Sequence, residues 1–98
     1  MTAYVMARIN IHDRARYARY EAGFMGVFAQ FSGTLLSVDE TPAVLEGDWS
    51  CTRTVLIGFP SPQHAEDWFH SAQYQELAQH RHAAAQSDCV IVKGLDSQ

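Results

Sequence analysis

The stretch TRTVLIGFPSP, residues 52–62, decides the fold. Residues 52–59 are strongly β-prone, with Val55, Ile57 and Phe59 on one face and Thr54, Leu56 and Gly58 on the other, the pattern of a central strand. Pro60 ends that strand, Ser61 caps a helix, and Pro62 takes the first helical position, where its missing N–H costs nothing. The helix buries Ala65, Trp68 and Phe69; Ser71 restarts or kinks it, and Tyr74, Leu77, Ala78, Arg81 and Ala85 then share one side. CVIVK, residues 89–93, closes the segment as an apolar strand ended by Gly94.

Upstream, AYVMARINI at 3–11 alternates as a strand, with Val5, Ala7, Ile9 and Ile11 opposite Tyr4, Met6, Arg8 and Asn10. Asp13 caps a helix running to about Phe31, whose buried stripe is Tyr17, Tyr20, Phe24, Val27, Phe28 and Phe31, and Gly33 stops it. Ala15, Ala18, Ala22, Gly26 and Ala29 fall on its opposite side, either as cheap helix formers on a wet surface or as room for another backbone. TLLSVD at 34–39 reads as a strand, AVLE at 43–46 as its continuation or a hairpin arm, and GDWS at 47–50 as a turn. The order is βαββαβ, the split βαβ arrangement of an α+β ferredoxin-like domain with an antiparallel sheet and both helices on one face. A single domain spans 1–95, and the polar tail 96–98 is expected to fray.

In that topology the first strand lies between the third and fourth. Cys51 and Cys89 then sit two strands apart, about 9.6 Å, beyond the roughly 7 Å a disulfide spans. Each reads as a small hydrophobe near a strand start. The helix-free sheet face carries Met6, Leu56 or Ile57, and one parity of the CVIV strand, and needs a cover.

Composition points the same way. Hydrophobic residues make up 47% of the 98 and charged residues 18%, against roughly 25% charged in an average soluble domain. So small a domain hides its remaining apolar area naturally by pairing with a copy of itself. The net charge of −4 disfavours nucleic acid and anionic membranes. With no signal-peptide core and no apolar run near the roughly 20 residues of a membrane span, a cytoplasmic home is expected. The five His show no metal-ligand spacing, and no phosphate loop or nucleophile elbow occurs, so neither metal nor cofactor is expected.

VLEGDW at 44–49, RTVLIGFPS at 53–61, the helix with Trp68, Phe69, Ser71, Tyr74, Leu77 and Arg81, and CVIVKGL at 89–95 together resemble the domain-of-unknown-function 1330 family over essentially the whole chain. The HRH run at 80–82 followed by AAAQ is the one departure. The resemblance implies a dimeric α+β barrel in which two sheets pack face to face, similar in fold to cofactor-free monooxygenases and muconolactone isomerases. It implies no activity.

Arg81 is the leading site candidate. It falls on an apolar stripe, where a guanidinium is either ion-paired or bound to an anion. Glu46, closing an apolar arm before a turn, is its expected partner and a general base if desolvated, or else an exposed strand-end carboxylate. Arg53 either clamps a substrate carboxylate or neutralises the acidic turn at 46–48. Trp49, Trp68, Tyr17 and Tyr74 either line a cavity for a flat aromatic ligand or are plain core. These residues lead to a homodimer with a small-molecule pocket, a cofactor-independent enzyme acting on an acidic or aromatic metabolite. The alternative is a noncatalytic binding or structural homodimer in which they form an internal ion-pair network.

Overall fold

A computed structural model describes residues 2–97. Its elements are β1 (Ala3–Ile11), α1 (Arg14–Phe28), β2 (Thr34–Asp39), β3 (Arg53–Phe59), α2 (Pro62–Phe69), α3 (Ala72–Ala84) and β4 (Ala85–Lys93). The four strands form one antiparallel sheet in the order β2-β3-β1-β4, the ferredoxin-like topology the element order predicts. No helix among the described residues is long and apolar enough to cross a membrane.

Local chemistry sets the helix starts. The Asp13 carboxylate accepts from the Arg16 N–H at 3.0 Å, and the Ser61 hydroxyl accepts from the His64 N–H at 3.2 Å. The Ser71 hydroxyl accepts from the Tyr74 N–H at 3.1 Å and donates to the Trp68 carbonyl at 2.9 Å. One serine thus ties the end of α2 to the start of α3 and fixes the angle between them. After α1 a 3-10 turn, Ala29–Phe31, leads to Ser32, which takes the left-handed conformation expected of Gly33. Gly33 is needed for space instead: a Cβ there would meet the Phe28 ring and come within 2.8 Å of Phe59 Cε1.

The core lies between the sheet and the helices. Val5, Ala7 and Ile9 of β1 and Ile57 and Phe59 of β3 face Tyr17, Tyr20 and Phe28 of α1, Trp68 of α2 and Tyr74 of α3. Trp68 is its aromatic hub, with ring centroids 4.3 Å from Tyr74, 5.6 Å from Phe59 and 5.9 Å from Phe28. At Gly23, α1 approaches α3 closely enough that a Cβ would fall 2.7 Å from Leu77 Cδ1.

Two expectations are corrected. Residues 43–46 form no strand; Leu45 is 98% exposed within an open loop from Glu40 to Thr52. β4 begins at Ala85, four residues before the predicted start, because pairing of Ile11 with Ala85 and Asn10 with Gln86 overrides the helical tendency of the alanine run. Cys89 is therefore well inside β4. Of the tail at 96–98, Leu95–Ser97 coil into a 3-10 turn and the Asp96 carboxylate accepts from Thr2, while Gln98 lies outside the described residues.

Among the described residues, the other sheet face carries no helix. Cross-strand register places Met6 between Leu56 and Val90, and Tyr4 between Gly58 and Val92. Leu56 rather than Ile57 belongs to this face, since Ile57 is buried in the core. Met6, Val90 and Val92 remain exposed.

Candidate functional site

The helices do not fill the space above the sheet. A cavity of about 200 Å³ remains, with Val5, Ala7, Ile9 and Ile57 on the sheet side and Phe24 and Trp68 on the helix side. A bulge in β2 between Leu35 and Ser37 lets both Leu35 and Val38 face this cavity, although three residues apart they would ordinarily alternate.

Arg81 reaches the cavity because Tyr74, Ala78 and Arg81 fall at i, i+4 and i+7 on α3 and so share its buried stripe. Only 5% of it is exposed. Among the described residues it pairs with no carboxylate, and its Nε is buried without a hydrogen-bond acceptor. Its guanidinium carbon stands 5.8 Å from the Tyr20 ring centre, and the Tyr20 and Tyr74 hydroxyls share a hydrogen bond of 2.7 Å.

Burial, reinforced by Tyr74, lifts the Tyr20 phenol well above its ordinary value, so it keeps its proton. Partial desolvation on the cavity side of the otherwise exposed Cys89 also raises its thiol, against the pull of Arg81. Burial alone would lower Arg81, but the surrounding Tyr74, Tyr20 and Cys89 outweigh it and its value is raised. The site therefore holds one cation, Arg81, beside the protonated Tyr20 phenol, the Cys89 thiol and apolar rings. Such an arrangement has the chemistry to receive a carboxylate, phenolate or enolate.

Arg53 lines the outer end and is already matched. It donates to Glu21 at 2.7 Å and to Glu40 at 3.0 and 3.2 Å, while Arg14 donates to the same Glu40 oxygen at 2.9 Å. Its guanidinium carbon lies 5.2 Å from the centre of the Tyr17 ring. Burial of Tyr17 raises its phenol, opposed by Arg53.

Glu40 gives the network a pH signature. Arg14, then Arg53, hold its carboxyl below the usual glutamate range. A carboxyl lowered in the folded state stabilises fully above its unfolded value, about 4.3, and loses that contribution as pH falls through its lower folded value. Urea midpoints measured against pH should therefore fall more steeply for the wild type than for Glu40→Gln below about pH 4.3. Parallel curves would contradict the network.

Of the residues singled out from sequence, Arg53, Arg81, Tyr17, Trp68 and Tyr74 line this cavity together. Glu46 and Trp49 do not join them. Glu46 is exposed on the 40–52 loop, beside a separate shallow depression with Trp49 and Thr54. Trp49 is held there by its indole N–H donating to Thr54 Oγ1 at 2.8 Å and by Arg8, 5.0 Å above its ring. The expected pairing of Glu46 with Arg53 or Arg81 is thus corrected: Glu21 and Glu40 partner Arg53, and Arg81 has no carboxylate. Sequence reasoning missed Tyr20 and Glu21. Tyr20 carried a usable signal, because a buried tyrosine hydroxyl needs a partner and Tyr74 sat on a facing stripe.

The fold and cavity define a ferredoxin-like α+β protein with an apolar chamber under its helices. Residues 2–95 match the model of the Domain of unknown function family DUF1330, and the chain belongs to that family. Among solved structures, a Rhodopseudomonas palustris protein of unknown function superposes with a TM-score of 0.80 at 18% identity, over 96% of this chain and 82% of that one. A dimeric ferredoxin-like protein of unknown function from Jannaschia sp. CCS1 gives 0.71 at 9% identity, over 96% and 100%. SnoaB, a cofactor-independent oxygenase from Streptomyces nogalater, gives 0.62 at 15% identity, over 95% and 92%. At these identities the likeness establishes the fold. No curated protein matches the chain.

Proposed function

We propose that this protein is a homodimer that binds a small acidic or aromatic metabolite in the cavity beneath its helices and acts on it without a cofactor. The observation that carries the reading is Arg81, a buried guanidinium with an unpartnered Nε facing an apolar cavity. The guanidinium is held by phenols and a ring face but by no carboxylate among the described residues, and an anionic ligand is the partner that would complete it. A cavity of about 150 Å³ is enough to hold benzene, so about 200 Å³ suits one substituted aromatic ring. In such a complex Arg81 stabilises the ligand's oxyanion, and whichever of the Tyr20 and Tyr74 hydroxyls is not donating to the other donates a hydrogen bond to it. The fold shared with a cofactor-independent oxygenase supports this chemistry.

The competing reading, a structural ion-pair network, is favoured at Arg53, where two carboxylates already meet the guanidinium. It has no counterpart at Arg81. Thermal-shift measurements with a panel of aromatic carboxylates separate the two: stabilisation by benzoate-like acids that Arg81→Met abolishes supports binding, and a flat response across the panel contradicts it.

The second copy is proposed to cover the helix-free face around Met6, Leu56, Val90 and Val92, as the dimeric Jannaschia relative suggests. Light scattering at micromolar concentration should return twice the monomer mass; the monomer mass would contradict the pairing.

A further inference from the structure

The charges along the cavity are arranged unequally. At the inner end stands Arg81, with no carboxylate against it and its Nε unpartnered among the described residues. At the outer end stands Arg53, whose guanidinium is already taken by Glu21 at 2.7 Å and Glu40 at 3.0 Å, with Arg14 completing the group. Two guanidinium groups and two carboxylates sum to zero charge there, so the cavity offers one open anion position and not two. Arg53's side chain is only 13% exposed, so a second anion would have to displace Glu21 or Glu40 from charge-assisted bonds. It would also lie against Glu21 itself, which lines the cavity.

Resting on the reading of the cavity as a small-molecule site, we infer that it selects monoanions: one aromatic ring with a single acidic group on Arg81, a second negative group being refused by Glu21 and Glu40. Glu21 is then a specificity residue acting through Arg53. The apolar walls between the two ends favour a hydrocarbon body there, and the net charge of −4 on the chain adds to the bias against dianions.

The matched pair 4-methylbenzoate and terephthalate tests this, because the two differ only in a methyl group exchanged for a carboxylate. Isothermal titration of the wild type should find 4-methylbenzoate bound at least tenfold more tightly. In Glu21→Gln, whose exposed side chain leaves the core intact, the loss of one carboxylate should narrow that gap to threefold or less. Terephthalate binding within threefold of 4-methylbenzoate on the wild type would overturn the selectivity while leaving the cavity a binding site, and so would a tenfold gap that persists in Glu21→Gln. Silence with both acids and with neutral 4-methylbenzamide would instead overturn the binding reading beneath it.

Discussion

Trp68→Ala is expected to lower the unfolding free energy by about 3–5 kcal/mol, the range for truncating a large buried aromatic. Few domains have more than about 5–15 kcal/mol to lose. The indole is 2% exposed and touches rings from every layer of the core: Phe24 and Phe28 of α1, Phe59 of β3, Phe69 of α2 and Tyr74 of α3. Its removal would merge the space it leaves with the existing cavity, so the neighbours cannot relax into it easily. Trp68→Phe should lose less than half as much, since it keeps an aromatic ring and removes an indole N–H that is buried without an acceptor. Urea midpoints read both variants. Equal losses from the two would mean that the particular fit of the indole, which a phenyl ring does not reproduce, and not aromatic burial in general, holds this position.

Arg81→Met is expected to separate stability from binding. The side chains are similar in volume, so the buried stripe stays largely filled while the charge and the orphan Nε disappear. Replacing buried charges with apolar side chains is typically neutral or stabilising. The lost contact with the Tyr20 ring, about 0.5–2 kcal/mol, works the other way. The variant should therefore unfold at the wild-type temperature or higher, by up to roughly 4–8 °C for each kcal/mol gained in a domain of this size. Aromatic acids should meanwhile bind about ten- to a hundredfold more weakly, as expected for a lost hydrogen bond to a charged group. A drop of several degrees in unfolding temperature with binding unchanged would make Arg81 a structural residue.

The parts of the fold set by local chemistry were legible in the sequence. Asp13, Ser61 and Ser71 cap helices because their hydroxyl and carboxylate groups need only backbone N–H groups two or three residues away. The alternation in β1 and β3 names the core face directly, since strand parity leaves two choices and the apolar residues select one. Ser71 also separated α2 from α3, and the stripe of α3 placed Arg81 in the interior. What failed depends on contacts between distant residues. Arg53 finds Glu21 across 32 positions and Glu40 across 13, and no spacing rule encodes either distance. Glu46 drew attention as the end of an apolar arm, yet the 40–52 loop has no ladder to hold it; Asn10 bonding to the Ser50 carbonyl and Trp49 to Thr54 Oγ1 tie the loop down further along. The bulge at Leu36 that turns Leu35 and Val38 into one wall left no mark in TLLSVD.

The account depends on an anion meeting Arg81 inside the cavity. A crystal structure of the protein soaked with 4-methylbenzoate tests this most directly. The carboxylate should lie within about 2.7–3.2 Å of Arg81 Nε, its ring between Trp68 and the β1 face and its methyl group toward Arg53. A carboxylate found on the 40–52 loop or the helix-free face, with Arg81 Nε still unpartnered, would contradict the account.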